Sequence, residues 1–108
     1  MNLDDKICYC FHVTRRKLVN FCRRRRPRVA SQLSECGGAG TGCGWCVPFL
    51  RMIFLEWQSG ESVRELEQIS PEEYAQRRAA YIRAGRGQPP LGAKPVSSAS
   101  ENIQGQAP

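Results

Sequence analysis

The residues of this 108-residue chain that could do chemistry are its six cysteines. Cys8-Tyr9-Cys10 is a C-x-C pair, and Cys43-Gly44-Trp45-Cys46 is a C-x-x-C pair. The chain between Cys10 and Cys43 is long enough for two helices that return it to its start. Two pairs on two loops, brought together by a helical hairpin, make a four-thiolate metal site. Thiolates need hydrogen-bond donors and positive charge to stay ionised. The glycine-rich stretch from Gly37 to Gly44 lets the backbone turn its N–H groups toward sulfur. A helix starting after Cys46 would add partial positive charge.

The elements that must position these pairs read as helices. Thr14 is an N-cap for a helix over residues 15–25, with Leu18, Phe21 and Cys22 as its buried stripe and Pro27 ending it. A short helix over Arg28–Glu35 would bury Val29 and Leu33. Gly37-Gly38-Ala39-Gly40 then makes a loop. A third helix has Pro48 in its first turn, shares Leu50, Ile53, Phe54 and Trp57 on one side, and stops at Gly60. Val63, Leu66 and Ile69 mark a short amphipathic helix. Ser70-Pro71-Glu72-Glu73 reads as a capping box for a last helix that buries Tyr74 and Tyr81 and closes at Gly85. Strand signal is confined to weak alternation from Ile7 to Val13.

Composition bounds the function. A chain of this length carries one domain and a core too small for a deep substrate cleft. With one His, no nucleophile–base pair and no phosphate loop, it reads as a non-enzyme. Its most apolar stretch, Val47 to Trp57, is too short to span a bilayer and contains Arg51 and Glu56. The acidic opening Asn2-Leu3-Asp4-Asp5 has no apolar region after it, so the expected location is the cytoplasm, where cysteines serve metals more than disulfides. The net charge of +6 resides in residues 1–60, with the sharpest cluster at Arg23-Arg24-Arg25-Arg26-Pro27-Arg28. From Gly85 onward Gly, Pro, Ser, Ala and Gln dominate, and residues 86–108 read as a disordered tail.

The combination of C-x-C, Val13-Thr14, Gly38-Ala39-Gly40 and C-G-x-C resembles the bacterioferritin-associated ferredoxin-like domain. The resemblance covers about residues 7–57. It implies a [2Fe–2S] cluster bound by four cysteines in a small helix–turn–helix fold. Carried over residue by residue, Cys8 and Cys10 would ligate from the first loop and Cys43 and Cys46 from the second, with Gly40 and Gly44 matching loop glycines. The same module occurs in a nitrogen-fixation scaffold protein and in some nitrite reductases, so fold does not fix the task. The run Arg23–Arg26 and the extension after residue 60 depart from the family's pattern. A [2Fe–2S] cluster with four thiolates carries about −2, falling to about −3 on reduction, and Arg15, Arg16 and Lys17 are expected to ease that charge.

The remaining residues have simpler readings. Cys22, on an apolar helix face, and Cys36, at a helix end, read as small hydrophobes. His12 could replace a thiolate or hydrogen-bond a sulfur, and Trp45 and Phe49 read as shielding and core. Arg23–Arg26 could be a solvated helix end, a nucleic-acid contact or a surface for an acidic partner. A structural zinc module would also use four thiolates, although zinc ribbons take wider pairs than C-x-C. The expectations are therefore these. The fold is all-α: a [2Fe–2S] domain over residues 1–60 with the cluster near the surface at its two loops, a helical extension over 61–85, and the tail. The function is one-electron transfer to bacterioferritin or another acidic redox protein, fed by a reductase, so that stored iron is reduced and released. An iron–sulfur assembly or transfer module is the rival, with structural zinc or a nucleic-acid-binding redox sensor behind it.

Overall fold

The computed structural model describes residues 1–93 of the chain. The part of the expected tail from residue 94 onward lies outside the described residues. The fold is mostly helical, with a two-stranded antiparallel sheet that corrects the all-α expectation. Strand β1 is Lys6–Cys8 and strand β2 is Val13–Thr14. They pair Lys6 with Thr14 and Cys8 with Val13, with an irregularity in register between those pairs. The weak alternation from Ile7 to Val13 is thus a hairpin whose connection carries Cys10. His12 closes that connection with a left-handed backbone, φ 58°.

Helix α1, Arg15–Arg25, follows β2 directly. The Thr14 side chain accepts from the Lys17 N–H at 3.2 Å, as an N-cap should. Leu18, Phe21 and Cys22 form the buried stripe. The helix ends before Pro27: Arg26 turns left-handed, and its N–H still reaches Cys22 O at 2.9 Å. The next segment is a 3₁₀ helix, Ala30–Glu35, in place of the expected helix from Arg28. Leu33 is buried, but Val29 is 53% exposed, which corrects its expected burial. The Gln32 side chain accepts from the Arg28 and Val29 N–H groups and starts the turn late, leaving Val29 extended and outside it.

Helix α2, Val47–Ser59, carries Pro48 in its first turn and ends at Gly60, φ 75°. Phe49, Leu50, Ile53 and Phe54 are buried; Trp57 is partly so. Helix α1, the 3₁₀ segment and α2 pack together around Leu18, Leu33 and Ile53. Helix α3, Arg64–Gln68, inserts Leu66 and is followed by buried Ile69. Helix α4, Pro71–Arg83, is capped by the Ser70 side chain accepting from Glu73 N–H at 3.0 Å.

A buried cation ties the extension to the first half. Arg15 donates to Glu56 on α2 at 2.8 Å, to Glu67 on α3, and to Met1 O. The second Glu56 oxygen accepts from Val63 N–H at 2.7 Å. Among the described residues no helix is long and apolar enough to cross a membrane.

Candidate metal centre

Each cysteine pair sits where its local structure presents sulfur inward. In the first pair Cys8 ends β1 and Cys10 lies two residues on, in the turn that connects the hairpin. In the second pair Cys43 lies in the glycine-rich loop and Cys46 is the residue at the N-terminal boundary of α2, where helix N–H groups concentrate positive potential. The loop folds on its own backbone, with Thr41 Oγ1 donating to Gly38 O at 2.6 Å and Leu50 N–H donating to Cys46 O at 2.9 Å.

The structure brings Cys8, Cys10, Cys43 and Cys46 to one cavity, which Gly40, Gly42, Trp45 and Arg78 also line. Gly42 is required there by close approach: a Cβ on it would stand 2.6 Å from Cys10 Sγ. The Cys43 N–H donates to the Cys10 sulfur and so joins the two loops. Among the described residues no three His, Cys, Asp or Glu side chains converge enough to hold a single metal ion.

The environment supports ionised sulfur at Cys8. The Cys46 thiol donates to it, and the backbone N–H groups of Gly40, Phe11 and Cys10 add to this against the cost of burial, pulling its pKa down to about 5. The same hydrogen bond to Cys8, with burial, pushes Cys46 well above the usual thiol range. Cys10 is raised, mainly by burial, although the Cys43 N–H donates to its sulfur at 3.2 Å. This is a donor set suited to a thiolate-bound group. Trp45 Nε1, buried and without a hydrogen-bond partner among the described residues, borders the same cavity; a buried N–H of that kind is costly until an acceptor arrives.

Phe11 and Thr41 on the two loops are exposed, whereas the four cysteines themselves are only 2% to 8% exposed. Helix α4 covers them. Its Tyr81 hydroxyl donates to Cys43 O at 2.9 Å, and its Tyr74 hydroxyl donates to Ile7 O, next to Cys8. Trp45 packs against Phe49, Tyr74 and Tyr81 in tilted and edge-on contacts with ring centroids 5.6–5.8 Å away, which supports its reading as shielding. Residues 86–93, read above as tail, also lie along the loops. A Cβ on Gly87 would fall 2.1 Å from Cys43 O, and Gly92 O meets His12 Nε2 at 2.8 Å. Composition hid this because glycine and proline dock through backbone contacts that need no apolar side chains.

The other candidates lie elsewhere. His12 directs its second ring nitrogen to Lys6 Nζ, 3.2 Å away. Cys22 is fully buried on α1, and burial pushes its pKa up to about 11. Cys36 is half-buried, donates to Lys17 O at 3.7 Å, and is also raised by burial. Arg15 and Arg16 do not face the sulfurs as expected: Arg15 is held by Glu56 and Glu67, and Arg16 by Asp4 at 3.0 Å. Lys17 is exposed. The cation beside the sulfurs is Arg78, which sequence reasoning missed. Its signal was its position between Tyr74 and Tyr81 on one stripe of a helix.

Residues 6–56 match the family model of BFD-like [2Fe-2S] binding domains. The family's cofactor is a [2Fe–2S] cluster. The chain is 36% identical over 55 residues to a nitrite reductase [NAD(P)H] of Emericella nidulans, and 39% identical over 51 residues to one of Neurospora crassa. These stretches are 49% and 47% of this chain but 5% and 4% of those proteins. No solved structure matches the chain.

Proposed function

We propose that this chain is a one-electron carrier, and not itself an enzyme, whose [2Fe–2S] cluster is held by Cys8, Cys10, Cys43 and Cys46. The observation that carries this reading is the convergence of both cysteine motifs on one cavity inside the matched segment. When bound, the cluster accepts and releases one electron at a time. The residues around it hold the sulfurs ionised, supply N–H donors to them and exclude water. The covered loops and the aromatic wall of Trp45, Phe49, Tyr74 and Tyr81 do the last of these.

The acceptor we propose is bacterioferritin or another acidic redox protein, with a reductase as donor and reductive release of stored iron as the result. Support comes from the family resemblance and from charge. Arg23, Arg24 and Arg25 are exposed on the last turn of α1, roughly 15 Å along that helix from the first cysteine loop. Such a surface attracts an acidic partner to the chain. A second reading is favoured by the relatives: electron carriage within an NAD(P)H-dependent nitrite reduction system.

The test mixes the reduced protein with iron-loaded bacterioferritin and follows ferrous iron with a chelator, in parallel with NAD(P)H-driven nitrite reduction. Acceleration of iron release over a Cys8→Ser variant supports the storage role. Acceleration of nitrite reduction alone transfers the assignment to the second reading. Transfer of the intact cluster to an apo-acceptor, with neither acceleration, supports an assembly module instead. Tight duplex DNA binding at physiological salt, lost when Arg23, Arg24 and Arg25 become Glu, supports the redox-sensor reading.

A further inference from the structure

Helix α4 lies beyond residues 6–56, which the matched family covers, yet it reaches both cysteine loops. Tyr74, Arg78 and Tyr81 stand at i, i+4 and i+7, which places them on one stripe of the helix. The two tyrosine hydroxyls clamp Ile7 O on β1 and Cys43 O on the glycine-rich loop. Arg78, between them, is 2% exposed. Its Nη2 donates to Cys10 Sγ at 3.9 Å, and its guanidinium carbon lies 5.2 Å from the Tyr9 ring centroid. A guanidinium is costly to bury unless neighbouring charge and hydrogen bonds balance it. A thiolate is such a neighbour, and its negative charge grows when the group it binds gains an electron.

We propose that Arg78 is a positioning residue that acts through Cys10 to set the electron affinity of the centre. It fixes the Cys10 sulfur with a charge-assisted N–H···S bond and favours the reduced state over the oxidised one. The extension thereby gives the domain a reduction potential that residues 6–56 by themselves would not have. This rests on the reading of Cys10 as a ligand. The sign follows from Coulomb's law: one added negative charge near a buried positive one is stabilised, and burial weakens solvent screening. Arg77, the next residue, provides the control. It has the same charge, is exposed, and pairs with Glu73 at 2.6 Å on α4 itself.

The experiment is a mediated anaerobic potentiometric titration of the full chain, with dithionite as reductant and the visible spectrum as readout. Arg78→Gln is expected to lower the ratio of reduced to oxidised centre at a fixed ambient potential by about tenfold, a fall of ~59 mV for a one-electron couple. Arg78→Lys, which keeps the charge, and Arg77→Gln are both expected to stay within about threefold of the parent. An Arg78→Gln protein with unaltered iron content and a potential within threefold of the parent overturns the proposal. So does an equal fall in Arg77→Gln. Should Arg78→Gln fail to hold its cluster, Arg78→Lys decides: a tenfold fall there overturns the charge argument, and a preserved potential supports it. Cys10→Ser separates this outcome from failure of the ligand reading. A Cys10→Ser protein with the parent's spectrum refutes the ligand assignment, whereas bleached Cys10→Ser beside an unshifted Arg78→Gln refutes the role of Arg78 alone.

Discussion

Replacing Arg15 tests how the helical extension is fastened to the cysteine domain. Its side chain is 9% exposed and its guanidinium joins Glu56, Glu67 and Met1 O, so one cation holds α1, α2 and α3 together. Arg15→Met keeps most of the apolar stem and removes the charge. Glu56, at 15% side-chain exposure, is then left with the Val63 N–H and no cation. Breaking a buried pair in this way costs about 3–5 kcal/mol. Glu67, at 43% exposure, adds little because solvent screens it. Small domains have total stabilities of about 5–15 kcal/mol, so the loss is a large fraction of the whole. With a urea slope of roughly 1 kcal/mol per molar, the midpoint of helix loss by circular dichroism should fall by about 3 M under anaerobic conditions. Adding Glu56→Gln to Arg15→Met should recover part of that fall, because no uncompensated charge remains. A midpoint within about 1 M of the parent, or a double variant weaker than Arg15→Met by the full cost of Glu56→Gln, refutes the reasoning.

Other outcomes follow from the same geometry. Cys22→Ser and Cys36→Ser should leave the visible spectrum unchanged, since neither borders the sulfur cavity, and iron analysis with absorption spectra checks this. In the parent, Cys22 should resist alkylation at pH 8, because burial has raised its pKa to about 11. Gly42→Ala places a methyl group against Cys10 Sγ and should cut cluster occupancy severalfold, read as iron per chain. Glu67 has its pKa lowered chiefly by the hydrogen bond from Arg15. A depressed carboxylate contributes stability above its unfolded pKa of about 4.3 and loses it as pH falls through the folded value, so the small share of acid-limb loss below about pH 4 that Glu67 contributes should be absent in Arg15→Met. Reversing Arg23, Arg24 and Arg25 to Glu should leave the spectrum intact, slow electron delivery to an acidic acceptor and reduce its salt dependence.

Local signals in the sequence located most of the elements. Thr14 and Ser70 cap the helices they were expected to cap, because a side-chain oxygen three residues before a free N–H needs nothing distant. Gly60 ends α2 and Gly85 follows α4 for the same local reason, a left-handed backbone that glycine adopts at little cost. The convergence of Cys8, Cys10, Cys43 and Cys46 was legible because spacing and the helical hairpin together demand it. What was not legible depends on contacts between residues far apart in the chain. Arg15 looked available to the sulfurs until Glu56 and Glu67 came to it across 41 and 52 residues. Arg78 approaches Cys10 across 68 residues, and no pattern near either announces the other. The short sheet was hidden because two residues of β2 carry too little periodicity to register. The docking of residues 86–93 was hidden because its contacts belong to backbone.

The central claim is that four cysteines from two loops hold one [2Fe–2S] cluster. Its most direct test is iron and acid-labile sulfide analysis, with Mössbauer and visible spectra, on the anaerobically purified full chain and its six single Cys→Ser variants. The account predicts a red-brown protein with iron and sulfide in equal amounts and the signature of a two-iron centre. It predicts loss or marked alteration of that signature in the variants at Cys8, Cys10, Cys43 and Cys46, and its retention in those at Cys22 and Cys36. A colourless protein with stoichiometric zinc, or a signature that survives Cys8→Ser and disappears in Cys36→Ser, would contradict it.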